Sequence, residues 1–362
     1  MLSALVAGAG PAGSTSALLL ARSRKSVCIY DRSAFPRTKA CGEYLSAGSV
    51  RLLYELGVGE RLAPHAREVG GVRLHGHGVR AVIDFPQAGW SLPRALLDDV
   101  LLGAALQAGA HALQGRVEDC ADGAECATLV VRLPDGSLAT MNAGAVVGSD
   151  GMHSLVARKC GFNGAKGGAR RFALGGHYSG LKGLDGYIDM FVEGTSYAAI
   201  NPLTDTTANV MLVVSESELE ANRGRIDAFA RERARHLAGD LLADARIEGK
   251  RVAIGPLSHR ASTLAGNRVL LAGDAACFID PFTGQGVYLA MRSAQIAAEC
   301  ILSGDLRGYE SRVRREIEAR ERAARRVRGL IASPLLARTA AAALRCNARL
   351  FAPLVQRVTG AA

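Results

Sequence analysis

Aromatic side chains make up only 5% of this 362-residue chain, and Trp90 is its single tryptophan. With so few bases for stacking and no recognisable nucleic-acid motif, a formal net charge of +10 does not point to a nucleic-acid partner. The eight cysteines include no CxxC pair and no Cys/His cluster at metal-ligand spacing. That pattern disfavours a structural zinc site or a disulfide framework. It predicts reduced, mostly buried thiols in a cytoplasmic protein. No Gly-x-Ser-x-Gly elbow and no metal-binding pair of histidines occurs.

A long unbroken apolar run is also lacking. Residues 1–21 carry no charge, but Gly, Pro, Ser and Thr interrupt them and no basic segment precedes them. They suit neither a signal peptide nor a bilayer span, so the expectation is a protein without a cleaved leader. Acid is absent after Glu321, where Arg322, Arg325, Arg326, Arg328, Arg338, Arg345, Arg349 and Arg357 supply eight of the ten net positive charges. Among these arginines lie Leu330, Ile331, Leu335, Leu336, Leu344, Leu350, Phe351, Leu354 and Val355. Two readings of this tail stay open: helices packed on the body with a solvated basic face, or a peripheral contact with an anionic membrane.

What the chain does have is a glycine fingerprint at its start. The apolar run Met1–Ala7 leads into Gly8-Ala9-Gly10-Pro11-Ala12-Gly13, and Asp31 closes a second short apolar run, Ser26–Tyr30. Strand, glycine turn, helix and acid in that order describe a dinucleotide site. The glycines allow the tight turn, the close approach of a pyrophosphate and the packing of helix on strand, while the acid holds a ribose hydroxyl.

Two later segments repeat the theme. Ala145-Val146-Val147-Gly148-Ser149-Asp150-Gly151 reads as a buried strand ending in Asp-Gly, ahead of Ser154 and Arg158 on a helix. Arg268-Val269-Leu270-Leu271-Ala272-Gly273-Asp274-Ala275-Ala276 reads as another, ending in Gly-Asp. It runs into Asp280-Pro281-Phe282-Thr283-Gly284-Gln285-Gly286-Val287 and an Ala-rich helix through about Leu302. The three segments resemble the FAD-binding motifs of the flavoprotein superfamily that holds the aromatic hydroxylases, the flavin-dependent halogenases and the geranylgeranyl reductases. The resemblance implies an FAD-dependent oxidoreductase in which Asp274 bonds the ribityl chain. The turn at Gly284–Val287 would set backbone N–H groups and a helix N-terminus beside the flavin's pyrimidine edge, where reduced flavin carries negative charge.

The expected cofactor set is Gly8, Gly10, Pro11, Ala12, Gly13, Asp31, Arg32, Arg37, Arg94, Val117, Asp150, Gly151, Gly273, Asp274, Pro281, Gly284, Gly286 and Val287. Arg94 has a second reading, a surface salt bridge to Asp98 one helical turn later. No second glycine fingerprint follows a strand, so NAD(P)H, if it reduces the flavin, must visit the FAD lobe transiently.

The segment Cys41-Gly42-Glu43 resembles the geranylgeranyl reductases, in which that cysteine lies near flavin and substrate. The halogenases' Trp-x-Trp-x-Ile-Pro signature cannot exist in a chain whose only tryptophan is Trp90. The reductases' Tyr-x-Trp-x-Phe-Pro stretch is matched only in part by Tyr197-Ala198-Ala199-Ile200-Asn201-Pro202, which predicts a wider or more polar cavity around Tyr197, Asn201 and Pro202. Cys41 reads as a small buried hydrophobe, as a group shaping the flavin face or handing over a proton, or as a nucleophile without a visible base. Glu43 reads as a general acid, a flavin ligand or a helix cap. His177 and His259 could reach a cavity, though surface or satisfied roles fit them as well.

The expected fold is α/β: a Rossmann-type FAD-binding lobe with an inserted β-sheet substrate lobe and C-terminal helices. The lobes divide as 1–158, with a substrate-side excursion near 70–90; 159–255, the substrate sheet; 256–305, a return to the FAD lobe; and 306–362, basic helices. Strands are expected at Tyr187–Glu193, Tyr197–Ile200 and Ala208–Val214, and a helix at about Ile226–Leu242. The expected substrate is a hydrophobic small molecule. Its reaction is alkene reduction or hydroxylation of an aromatic or polyketide ring. A flavin-binding protein whose main role is assembly at a membrane is the third possibility.

Overall fold

Buried apolar strands, each ending in a glycine turn, set the frame. The computed structural model describes residues 1–76, 78–164, 170–257, 259–279, 281–332, 338–339, 355–356 and 359–360. In chain order the first strands are β1 (Leu2–Ala7), β2 (Val27–Asp31), β3 (Tyr44–Leu45), β4 (Arg67–Gly76), β5 (Val79–Ser91), β6 (His111–Gln114), β7 (Arg116–Asp122), β8 (Ala127–Arg132) and β9 (Leu138–Gly148). There follow β10 (Arg171–Ser179), β11 (Tyr187–Glu193), β12 (Ser196–Pro202), β13 (Thr207–Ser215), β14 (Arg246–Ile254), β15 (His259–Arg260), β16 (Val269–Leu271) and β17 (Cys277–Phe278). The helices are α1 (Pro11–Arg22), α2 (Ala47–Glu55), α3 (Gly59–Leu62), α4 (Arg94–Gln107), α5 (Leu155–Lys159), α6 (Glu216–Ala221), α7 (Ile226–Ala238), α8 (Gly286–Ser303) and α9 (Tyr309–Ala332).

One sheet has the order β6-β2-β1-β9-β8-β7, with β16 also pairing β9. Its β6, β2, β1, β9 and β16 are parallel, while β7, β8 and β9 form an antiparallel meander. Ala4–Ala7, Val27, Ile29, Val146, Val147 and Val269–Leu271 are buried. A parallel sheet covered on both faces needs such unbroken apolar runs, and that is why these strands stood out in the sequence. Helix α1 packs against both α4 and α8.

The second sheet has the order β14-β10-β13-β12-β11-β4-β5-β3. It is antiparallel except where β4 meets β11. Residues 67–91 thus join the same sheet as residues 171–254. Side chains alternate across it, as the pleat requires. Leu174, Ala198, Leu212 and Val214 pack on Phe229 and Ala230 of α7, while Ala173, Met190, Tyr197, Met211 and Val213 form a separate cluster on the other face. The expected strand Tyr187–Glu193 is β11, and the other two expected strands are slightly longer in the structure. The expected helix stops at Ala238 and tightens into a 3₁₀ turn over Gly239–Leu242, where Gly239 takes φ +54°.

Helix α9 packs on α8, and the buried Tyr309 donates its hydroxyl to the Leu271 carbonyl at 2.6 Å. Arg322 and Arg325 pair with Glu318 and Glu321. Arg345, Arg349, Arg357 and the apolar residues Leu335, Leu336, Leu344, Leu350, Phe351 and Leu354 lie outside the described residues, as does Asp280 of the third motif. Among the described residues no helix is long and apolar enough to cross a membrane.

Candidate active site

The three sequence motifs converge on one cavity of about 320 Å³ that extends to the inner face of the second sheet. Its first end is built from glycine turns. Gly8 holds φ +95°, and a Cβ on Gly13 would lie 1.8 Å from the Gly8 carbonyl oxygen, so α1 starts against the end of β1. Asp31, at the end of β2, accepts the Ala9 and Ser33 N–H groups at 2.8 and 2.9 Å. Arg37 reaches both Asp31, at 3.5 Å, and Asp98, at 3.8 Å. Lys39, which no motif had singled out, lies 3.8 Å from Asp274. Asp150 accepts the Leu155 and Val156 N–H groups at the start of α5.

Gly10, Pro11, Ala12, Gly151, Gly273, Asp274, Pro281, Gly284, Gly286 and Val287 line the cavity, with the N-termini of α1 and α8 facing it. Gly8, Gly13, Asp31, Arg37 and Asp150 stand behind that lining. Arg32 is exposed, and Val117 on β7 is not part of the wall. The residues fit FAD. A side chain at Gly286 would meet no protein atom within 4 Å, and one at Gly10 would meet only the end of Arg37 at 3.4 Å, so both turns leave open space. Two long helices aim their N-termini at that space and Lys39 lines it, which suits a pyrophosphate.

Beyond the glycine turns, the Cys41–Glu43 loop is clamped by the second sheet. Asn201, Asn209 and His177 sit in one register row across β12, β13 and β10. Asn201 donates to the Gly42 carbonyl at 2.9 Å, and Asn209 donates to the Cys41 carbonyl at 2.9 Å and to Glu43 Oε2 at 3.1 Å. His177 Nε2 bonds the same Glu43 oxygen at 2.6 Å, and Glu43 Oε1 accepts the Arg94 N–H at 2.8 Å. Ser91, at the end of β5, donates to Asn201 from outside that row. Glu43 is 5% exposed and holds φ +57°, a left-handed conformation costly for a residue with a Cβ. Its hydrogen bond to His177 pushes the imidazole pKa above its ordinary value, against the effect of burial.

These contacts bear on two expectations. Both Glu43 oxygens are engaged, and Oε1 takes the N–H of the first residue of α4, which matches the helix-cap reading among the three. The Arg94–Asp98 pair exists, with Nε and Nη2 each at 3.0 Å, but it is buried rather than superficial. Burial disfavours the Arg94 cation, yet Asp98 and a hydrogen bond to the Cys41 sulfur hold its pKa above the usual arginine range. Cys41 itself lines the cavity, and its Sγ accepts the Glu43 N–H at 3.3 Å. His259 hydrogen-bonds the Ala275 carbonyl at 3.1 Å and does not line the cavity.

Most of the remaining wall is apolar, with His75, Asn201 and Thr283 as polar members. Val72 and Leu74 from β4, Ala81, Ile83 and Phe85 from β5, and Ile188, Met190 and Val192 from β11 follow the period of two. Tyr197, Ala199, Met211 and Val213 continue it, and Tyr197 meets the edge of Phe282 with ring centroids 5.3 Å apart. Pro202 is not in the wall. Asn201 lines the cavity too, and its amide also donates to the Gly42 carbonyl, so it serves the wall and the loop together. Val355 and Thr359 also line the cavity.

This fold and site define an α/β flavoprotein that uses FAD for oxidation and reduction. The chain belongs to the FAD binding domain family, whose model matches residues 1–327, and it is an FAD-dependent oxidoreductase. It is 29% identical over 320 residues to a menaquinone reductase of Mycobacterium tuberculosis, covering 83% of this chain and 77% of that one. It is 27% identical over 337 residues to digeranylgeranylglycerophospholipid reductase 1 of Methanothermobacter thermautotrophicus, covering 86% and 82%. Its fold superposes on the flavin-dependent halogenase CmlS with a TM-score of 0.80 and 26% identity, over 88% of this chain. The chain spans 62% of the halogenase's length.

Proposed function

We propose that this enzyme reduces a carbon–carbon double bond in a long apolar substrate of the prenyl-lipid type. The largely apolar wall carries this proposal: at least five strands contribute aliphatic side chains to one face, with Asn201 at its loop end. A prenyl chain offers no hydrogen bonds, so it is recognised by burial alone, at roughly 25 cal/mol per Å² of apolar surface. Two reductases among the relatives bear names that point to prenylated lipids.

Bound FAD supplies the hydride. The chain's own residues hold the substrate and provide the proton. The wall orients the alkene and excludes water, and Cys41, held beside Arg94 on the clamped loop, gives its thiol proton to the second carbon. Solvent then reprotonates the sulfur. NAD(P)H is the proposed source of electrons, visiting the FAD lobe transiently.

The test uses chemically reduced, FAD-loaded enzyme mixed without oxygen with a prenylated quinone. After the ring is reoxidised to the quinone in air, a product whose prenyl chain is heavier by two hydrogens is the expected result, and a gain of two hydrogens confined to the ring would overturn the proposal. A product heavier by one oxygen, formed only in air, would replace this proposal with a monooxygenase. No product under either condition would favour a flavin-binding partner protein. Cys41→Ala should slow the reduction by about 10²-fold or more, the usual weight of a positioned acid, while leaving FAD binding intact. Ala199→Phe, which fills the wall, should raise the KM for long chains and spare short soluble alkenes.

A further inference from the structure

Two thiols lie together well away from the cavity wall. Cys120 is on β7 and Cys160 caps the C-terminal end of α5, and their Sγ atoms are 3.5 Å apart. Cys120 is 4% exposed, whereas Cys160 is only half-buried and reachable from solvent. Asp119, Asp122 and Asp150 face the pair, and Lys159, beside Cys160, is ion-paired with Asp119 at 3.3 Å. The sulfurs share a hydrogen bond that pushes the Cys120 thiol well above its ordinary pKa and holds Cys160 below it, although burial works against ionisation at both.

We propose that Cys120 and Cys160 form an oxidation site, a dithiol that hydrogen peroxide closes to a disulfide. The sulfur separation exceeds the bond length of about 2.05 Å by roughly 1.5 Å, a distance that a χ1 adjustment at the end of a five-residue helix covers. Cys160 reacts first, as its thiolate, because it is the more accessible of the two sulfurs. Its sulfur attacks the peroxide O–O bond, takes one oxygen as a sulfenic acid and releases hydroxide. Cys120 then attacks that sulfur, the S–O bond breaks, and hydroxide leaves to be protonated to water. Two thiols and one peroxide become one disulfide and two waters, with the sulfurs oxidised and the peroxide reduced. The bond would tie the C-terminal end of α5 to β7. The other end of α5 is tied to Asp150, whose neighbours Ser149 and Gly151 line the cavity.

The experiment treats the full-length, FAD-loaded protein with limiting hydrogen peroxide, alkylates it under denaturing conditions and reads the tryptic peptides by mass spectrometry. Expected are a Cys120–Cys160 cross-linked peptide and loss of alkylation at both positions at least tenfold faster than at the buried Cys28 and Cys300. Cys120→Ser should leave a sulfenic acid on Cys160 that dimedone traps, and Cys160→Ser should leave Cys120 unmodified. Continued alkylation of both cysteines while Cys41 or Cys126 oxidises would overturn the assignment. The wild-type peptide map decides the matter even where a variant does not fold.

Discussion

Gly13→Ala should yield a protein that retains no FAD, whereas Gly10→Ala should fold normally and bind FAD at least tenfold more weakly. The two glycines are three residues apart in one motif, yet different surroundings limit them. A Cβ at Gly13 would stand 1.8 Å from the Gly8 carbonyl oxygen and 2.6 Å from the Ser149 hydroxyl. Backbone cannot swing aside as a side-chain tip can. The carbonyl would have to move by more than 1 Å, pulling the end of β1 away from α1 and costing several kcal/mol, as overpacking of this severity does. A Cβ at Gly10 would meet only Arg37 Nη2 at 3.4 Å, so the apo protein should tolerate it. The methyl group would instead stand in the space that the motif leaves open for the cofactor, and a tenfold loss corresponds to about 1.4 kcal/mol. Titration of flavin fluorescence, with thermal unfolding of the apo proteins, separates the cases. Equal thermal stability for Gly13→Ala and the wild type would show that the close approach of α1 to β1 does not govern the site.

The contrast shows what could be read from the sequence and what could not. The FAD end was legible because it is local: each motif places strand, glycine turn and helix within about a dozen residues, and the turn needs residue types that little else explains. The same holds for β11, whose bounds match the expectation because its residues fill a half-buried strand without interruption. The clamp was not legible. Asn209 carried no signal in the sequence, since an asparagine in a strand looks the same whether it faces solvent or holds a loop 168 residues away. His177 was noticed without its partner, because Glu43 meets it only after β10 is aligned against β13. Asn201 is legible as a cavity residue, but its bond to the Gly42 carbonyl is not, because a residue type does not report where a side chain donates. Arg94 and Asp98 were paired correctly by their spacing of four, but burial on α4 is a tertiary property that spacing does not report. Cys120 and Cys160 are likewise brought together only when α5 packs on β7.

Glu43→Ala should destabilise the protein by about 3 kcal/mol and reduce turnover more strongly than Glu43→Gln. Removing the carboxylate strands three donors: the Arg94 N–H, the Asn209 amide and His177. Breaking a buried ion pair by deleting one partner typically costs 3–5 kcal/mol, and the lower end applies because His177 reaches solvent. Glutamine keeps an acceptor for two of the donors and should recover part of the loss. Glu43→Gly should be about 1 kcal/mol more stable than Glu43→Ala, because φ +57° is strained for alanine and free for glycine. The pH dependence has a definite sign. His177 binds its proton more tightly in the folded protein than at its ordinary pKa of 6.5, so its contribution is fully present below pH 6.5 and is lost as pH rises through the folded value. The stability gap between wild type and Glu43→Gln should therefore narrow as pH rises from 5.5 to 8.5, and His177→Gln should flatten it. A gap that stays constant over that range would mean that the two side chains are hydrogen-bonded without charge. If the Cys41 loop depends on this tie, kcat for Glu43→Gln should fall while its affinity for FAD, held by the glycine turns elsewhere, stays within about twofold of wild type, roughly 0.4 kcal/mol.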